Sequence, residues 1–418
     1  MSRSMRVALL ISELTWQGGT ERQAVQLAAE LQAMGVDVTV FTSAFNAATC
    51  YPDITARLNV VTAGRHPLAT RLPSRRLQGY FDMQRLSAAL TGHFDVLNPH
   101  HWPAHWAATT AIRQLSGRPP VVWMCNDDPW PPTLFTPTPW WAPGRSFRRL
   151  LHRLAYRYDQ SAVSRVDRIA VLDSRMAERV REGYGREPDV VRSGVDVERL
   201  GSADPEAVRA LRRRLNIPER AFLLLFAGIL MPHRRLEDVI QALAAPALRE
   251  RGVQLLIVGA QDQYLAYARR LKDSARELGL ADRITWTGAV PEADLPTYYH
   301  ACDAFIFANE EQTWGLAVTE AMACRKPVIV STGAGVHEVL SDGQNALLVP
   351  PRRPEAIAGA VGRLLADEPL RCRLATEGRQ FVETRLSWRR YAESMVTVFE
   401  EAVTARRGVL LDRAAVEA

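Results

Sequence analysis

Short apolar runs alternate with longer amphipathic stretches through both halves of the chain. That alternation restricts the fold more than any other feature. "RVALLIS" (6–12) reads as a strand, "TERQAVQLAAELQAMG" (20–35) as a helix, and "VDVTVFTS" (36–43) as a second strand. In the helix Ala24, Leu27, Ala28, Leu31 and Met34 share one face. Gly18 and Gly19 make the strand-to-helix turn, and Gly35 marks the stop. Such a βαβ unit implies a parallel sheet covered by helices. "FDVLNPHH", "VVWMCNDD" and "DRIAVLD" (167–173) continue as strands. A charged stretch near 193–220 resets the pattern. Strands at 221–228, 253–259, 283–288, 303–308, 326–331 and 345–350 follow, with helices at 263–279, 292–301 and 315–324 among them.

The expected fold class is therefore α/β: two facing Rossmann-like domains, each a doubly wound parallel sheet, with an interdomain cleft as the natural ligand site. A chain of 418 residues is long enough for two such cores. The boundary is placed just after Asp196, giving domains 1–196 and 197–385. A helix over 386–405 is expected to cross back to the first domain, with a frayed tail at 406–418.

Net charge is +6, carried mostly by scattered Arg, which suits anionic small molecules or a lipid headgroup surface. Nucleic acid ranks last because no RRM-like or zinc-finger spacing occurs. The five Cys are odd in number and form no C-x-x-C pair, so neither a disulfide framework nor a zinc site is supported. A reduced, cytoplasmic setting fits them best. The apolar run in "MSRSMRVALLIS" is too short for a signal peptide and reads as a buried strand. No uninterrupted apolar segment is long enough to span a membrane.

The stretch "CNDDPWPPTLFTPTPWWAPGRS" (125–146) breaks the rhythm, since its Pro residues exclude a helix or a central strand. Two readings stand. It is a surface excursion whose Trp side chains tuck onto the domain, or it is an acceptor-binding or membrane-touching loop. The basic helix "RSFRRLLHRLAYRY" follows, with Phe147, Leu150, Leu151, Leu154 and Tyr158 along one face. It suits either a core stripe or peripheral contact with anionic lipid through 126–158.

Three elements suit a diphosphate. Gly18-Gly19-Thr20 opens a helix, where backbone amides attract anions. Arg234 and Arg235 follow a buried strand and Gly228, and two cations at a helix start oppose the helix dipole unless an anion joins them. "TWGLAVTEAMA" supplies another helix entry at Gly315, with Glu320 on its second turn, placed to accept from vicinal hydroxyls. Together they point to a nucleotide-sugar. No G-x-G-x-x-G or P-loop spacing occurs, which disfavours a redox enzyme.

With these residues in view, the second half resembles the family 4 retaining glycosyltransferases of the GT-B fold. The similarity lies in "FAGILMPHRRLEDVIQAL", "ITWTGAVPEADLPTYYHACDAFIFAN" and "EQTWGLAVTEAMACRKPVIVSTGAGVHEVLSDGQNALLVPP". "GGTERQAVQLAAELQAMGVDVTVFTS", "DVLNPHH" and "VVRSGVDVERL" extend it to the first half. The resemblance implies an N-terminal acceptor-binding domain and a C-terminal nucleotide-sugar-binding domain. It implies that Glu320 holds the nucleotide ribose and that Gln312 stands where the family has the glutamate facing the transferred sugar. Arg235 matches the diphosphate-clamping cation. Ile229 stands where the family has a partner Arg, a charge that Arg234 takes over. His100 matches a histidine near the reacting sugar, and Asn98 replaces a second one. Gly18 and Gly19 match the loop facing the sugar phosphates and acceptor. Gly335 and Glu338 lie in the usual loop after the paired-Glu helix.

Trp314, Gly315, Leu316 and Ala317 are counted with the donor site, Trp314 as packing behind the loop. Gly288, Ala289 and Val290 are placed near the nucleobase. His100 has a rival reading as a satisfied histidine at a strand end, and His101, His105 and His337 are read as structural. The implied reaction is retaining, metal-independent transfer to a glycan, lipid-linked or small-molecule hydroxyl, with the nucleoside diphosphate sugar as co-substrate and no cofactor. Asp127 and Asp128 are adjacent rather than spaced as a D-x-D metal pair. A nucleotide-sugar epimerase and a non-catalytic nucleotide-sugar binding protein remain the alternatives.

Overall fold

The structure is a computed structural model that describes residues 4–67, 75–126, 145–311 and 314–417. The chain forms two compact units. One comprises Met1–Arg192 with Trp388–Ala418, and the other Ser193–Ser387.

The first unit carries seven parallel strands: β1 (Arg6–Leu14), β2 (Asp37–Phe45), β3 (Asn59–Thr62), β4 (Val96–His100), β5 (Val122–Met124), β6 (Arg168–Val171) and β7 (Asp189–Val190). They lie in the order β3-β2-β1-β4-β5-β6-β7. The run Val7–Ile11 is buried on both faces, as a central parallel strand requires. Helix Gly19–Ala33 buries Ala24, Leu27, Ala28 and Leu31, the face that its periodicity marks. Strand order reverses between β1 and β4, where Ile11 pairs with His100. In open α/β sheets the carboxyl ends at such a reversal form the ligand crevice.

A polar pin crosses the core of this unit. Asp159, on helix Arg145–Val163, faces His105 Nε2 at 3.0 Å and accepts from Trp106 Nε1 at 2.7 Å and Tyr184 Oη at 2.8 Å. The His105 and Asp159 side chains are fully buried. Burial pushes the Asp159 carboxyl up, but the His105 hydrogen bond and charge, with Tyr184 and Trp106, outweigh it and hold the group below its ordinary value. His105 also stacks on Trp123, so its role is structural.

The C-terminal helix Trp388–Glu417 belongs to this unit. It buries Trp388, Tyr391, Met395 and Phe399, and ion pairs Arg168–Glu401 (3.0 Å) and Arg406–Asp167 (3.3 Å) tie it to the β6 region. It runs to Glu417, past the point near 405 where the sequence suggested fraying.

The second unit has six parallel strands: β8 (Leu223–Ala227), β9 (Gln254–Val258), β10 (Ile284–Gly288), β11 (Ala304–Phe307), β12 (Val328–Ser331) and β13 (Leu347–Val349). Their order is β10-β9-β8-β11-β12-β13, reversing between β8 and β11. Leu224, Phe226, Leu255, Ile257, Ile306 and Ile329 form the centre of its core. The Val195 amide donates to the Leu386 carbonyl (2.8 Å), so the unit begins and ends at one place.

Candidate functional site

At the reversal point of the second unit, four strand-end loops meet. Gly259 follows β9 with φ of 153°, and a Cβ there would overlap the Gly228 carbonyl. Gly228 follows β8 with φ of 147°, and a Cβ there would lie 2.6 Å from Arg234 Nη1. Only glycine fits both positions. The loop after β8 joins the loop after β11 where the Glu310 amide donates to the His233 carbonyl at 2.7 Å. The loop after β12 joins them at Gly333, whose Cβ would crowd the Asn309 carbonyl at 2.6 Å.

The two adjacent arginines separate here. Arg235 takes a left-handed conformation (φ 53°) at the start of helix Leu236–Leu243. Its guanidinium pairs with both Asp238 oxygens at 2.9 Å and with Glu237 at 2.8 Å. The helix-dipole penalty that suggested a ligand is therefore offset within the chain. Arg234 instead turns back over Gly228. Its Nε is buried without a hydrogen-bond partner, and among the described residues no carboxylate pairs with it. Burial lowers its pKa to about 10, so it stays charged at neutral pH. Arg234 as a whole is half-buried, but a guanidinium with its Nε sealed and no counter-charge is costly, and an anionic ligand would relieve that cost.

The glutamates that flank the Trp-Gly pair also separate. Glu310 holds Arg352 Nε at 2.6 Å, and Glu311 is exposed in a left-handed conformation (φ 53°). Gln312 lies outside the described residues. Trp314 is buried, and its carbonyl accepts from the Val336 amide (3.1 Å), which ties the Gly335–Val339 turn to this loop and agrees with a packing role. Gly315, with φ of 126°, caps helix Leu316–Ala323 and provides no side-chain oxygen for its first turn. The amides that begin at Leu316 and Ala317 thus form an anion-attracting end without a side-chain cap. On the next turn Glu320 is half-buried and accepts from the buried Tyr299 hydroxyl at 2.8 Å. Gly288 ends β10, where its carbonyl accepts from the Gly259 amide (2.8 Å), and exposed Ala289 and half-buried Val290 follow it.

In the first unit, Gly18 caps helix Gly19–Ala33, and its carbonyl accepts from Tyr51 Oη at 2.9 Å. A Cβ at Gly18 would overlap the Glu21 carboxylate and lie 2.9 Å from the Trp16 indole. A chain carboxylate thus occupies the neighbourhood where the sequence suggested a phosphate. His100 is completely buried, with Nε2 2.8 Å from Asn98 Oδ1. Because Asn98 Nδ2 donates to the Val122 carbonyl (2.6 Å), its Oδ1 accepts, and His100 carries its proton on Nε2. Burial, then the neighbouring His101, lowers the His100 pKa to about 3, so the ring is neutral. As placed, His100 offers no exposed atom to a ligand.

Of the segment expected to touch acceptor or membrane, 126–158, residues 127–144 lie outside the described residues; in helix Arg145–Val163, which follows, Tyr158 packs against Tyr80 and Trp106 while Leu154 is exposed. Among those described, no helix is long and apolar enough to cross a membrane, and no cluster of three His, Cys, Asp or Glu side chains could hold a metal ion. Sequence reasoning missed Tyr299 and Glu21. Tyr299 lies 21 positions from Glu320 and only the fold brings them together, whereas Glu21, three residues after Gly18, stands where a glutamate commonly reaches back to a helix N-cap.

Residues 17–199 match the model for Glycosyltransferase Family 4, and residues 208–381 match that for Glycosyl transferases group 1. A D-inositol 3-phosphate glycosyltransferase from Saccharomonospora viridis is 29% identical over 421 residues, covering 94% of this chain and 92% of that protein. Another, from Streptomyces bingchenggensis, is 31% identical over 257 residues, covering 60% and 56%. Among solved structures, HepE from Anabaena in complex with UDP-glucose aligns with a TM-score of 0.74 at 19% identity, over 95% of this chain and 100% of that one. Sucrose-phosphate synthase from Thermosynechococcus elongatus aligns with a TM-score of 0.75 at 22% identity, over 96% and 100%. At such identities the structures show a shared fold, while the two family models together span most of both units. The chain belongs to glycosyltransferase family 4 and has the GT-B fold.

Proposed function

We propose that the protein transfers a sugar from a nucleoside diphosphate donor to an acceptor hydroxyl, retaining the anomeric configuration and using no metal ion. The observation that carries this reading is Arg234, a half-buried cation with a sealed Nε and no carboxylate partner among the described residues, at the reversal point of the second sheet. It shares that point with the helix start at Leu316, which has no side-chain cap, and Glu320 follows one turn later. The diphosphate meets Arg234 and the helix amides, and the ribose hydroxyls donate to Glu320. In the transfer step the bond from the anomeric carbon to the donor phosphate oxygen breaks, and the bond to the acceptor oxygen forms on the same face. The acceptor's proton passes to the departing phosphate oxygen. Fixed positive charge aimed at the leaving diphosphate stabilises the transition state directly.

Gln312 is proposed to face the sugar. An amide both donates and accepts, so it can bind a sugar hydroxyl without adding negative charge beside the diphosphate. Glu320→Ala is then expected to weaken binding of bare nucleoside diphosphates and of intact donors alike. Gln312→Ala is expected to spare the bare nucleotide and slow turnover at least roughly tenfold, about 1.4 kcal/mol of transition-state stabilisation. Calorimetric affinities and initial rates for both variants, with Glu311→Ala as control, decide this. A dead Glu311→Ala beside a normal Gln312→Ala contradicts the assignment. The first acceptor to offer is D-inositol 3-phosphate, the compound in the names of the relatives from Saccharomonospora viridis and Streptomyces bingchenggensis. Transfer that stops with a chelator and returns with a divalent cation contradicts the metal-independent part.

A further inference from the structure

Glu320 lies on a short helix beside the site, and a flexible glutamate there has many rotamers. Its Oε2 is anchored by the hydroxyl of Tyr299, from helix Leu295–Ala301 on the other side of β11 in sequence. Tyr299 is almost fully buried and packs against Phe305 of β11, with ring centroids 5.8 Å apart. The adjacent tyrosine does something else: Tyr298 Oη accepts from Arg214 at 3.1 Å. A rigid ring, held in the core, thus directs its only polar atom at the carboxylate. One hydrogen bond uses only one of about four lone-pair sites on a carboxylate.

We propose that Tyr299 is a positioning residue for nucleotide selection: it fixes the Glu320 carboxylate in the orientation that accepts the two ribose hydroxyls, and so sets the preference for ribonucleotides over their 2′-deoxy forms. This rests on the reading in which Glu320 receives the ribose. Without the hydroxyl, the ring still fills its place in the core. The half-exposed carboxylate loses one of the contacts that fix its orientation and is held less narrowly. Two hydroxyls on neighbouring carbons need one orientation, whereas a single remaining hydroxyl is satisfied by more than one. The loss therefore falls mainly on the ribonucleotide.

The test measures UDP and GDP, each against its 2′-deoxy form, by calorimetry on the full chain. The proteins are wild type, Tyr299→Phe, Glu320→Ala and the double variant. Tyr299→Phe is expected to reduce the ribo-to-deoxy affinity ratio by roughly threefold to tenfold, the net scale of one ordinary hydrogen bond, since the ring acts on the ligand only through the carboxylate. Glu320→Ala should abolish the preference, and the double variant should match it. Glu320→Asp, whose carboxylate stands one methylene further back, serves if Tyr299→Phe fails to fold: it should lower the ratio in the same way. A ratio that stays at the wild-type value in a folded Tyr299→Phe, or in Glu320→Asp where Tyr299→Phe does not fold, while Glu320→Ala loses it, overturns the positioning role and leaves the ribose reading standing. An unchanged ratio in Glu320→Ala overturns the ribose reading and this proposal with it. A drop from Tyr299→Phe that persists in the Glu320→Ala background shows that Tyr299 acts through another group, and also overturns it.

Discussion

Replacing Arg234 with alanine is expected to lower kcat/KM for the sugar donor by roughly 10²–10³-fold, the range seen when one preorganised stabilising group is removed from a transition state. The expectation comes from the environment, not from the residue type alone. Arg234 lies half-buried over Gly228, its Nε is sealed without a partner, and its pKa is pulled down to about 10. A dianionic leaving group would supply the missing counter-charge. Arg235→Ala is the informative comparison. Its guanidinium is already committed to Asp238 and Glu237, and those bonds raise its pKa. Its removal should cost less in rate than that of Arg234 and more in local stability. Steady-state kinetics on both variants, with thermal melts as a fold control, distinguish the two. Equal losses, or a larger one from Arg235→Ala, contradict the assignment of the diphosphate to Arg234.

The second large effect is on stability. Asp159→Ala is expected to destabilise the protein by about 3–5 kcal/mol, because removing one member of a buried polar pair strands the others. His105, Trp106 and Tyr184 would lose their shared acceptor inside the core. The Asp159 carboxyl is held below its ordinary value, so its contribution is fully present above the unfolded-state pKa and disappears as pH falls through the folded one. Urea midpoints across the acid range should therefore fall more steeply for wild type than for Asp159→Asn. A midpoint for Asp159→Ala within experimental error of wild type, or identical acid slopes, counts against the pin.

Much of the fold is legible in the sequence because central parallel strands are buried on both faces. Runs such as "RVALLIS", "AFLLLFAG" and "VQLLIVG" have few other physical options. The short strands β3 and β7 lie at the sheet's two ends, where half-exposed residues leave no apolar signature. The Asp159 pin joins residues 54, 53 and 25 positions away, so no local pattern reveals it. Within the site, sequence places the loops correctly but cannot apportion neighbouring side chains. Arg234 and Arg235 look alike until the left-handed turn at Arg235 sends them to different partners. Likewise Gly18-Gly19 reads as an open anion turn until Glu21 is seen folded over it. His100 stands at the expected strand end, yet packing seals it completely, a property that depends on its neighbours rather than its position in the chain.

Sugar transfer with retention is tested most directly by the fate of the donor's anomeric centre. The full chain is incubated with a panel of nucleotide-sugars of known anomeric configuration, with and without D-inositol 3-phosphate and a small set of hydroxylated acceptors, and the anomeric proton of the product is followed by NMR. The expected result is donor consumption that requires an acceptor and yields a glycoside with the donor's configuration. Inverted product contradicts retention; donor that isomerises without acceptor points to an epimerase; and donor that binds without reacting with any acceptor contradicts catalysis itself.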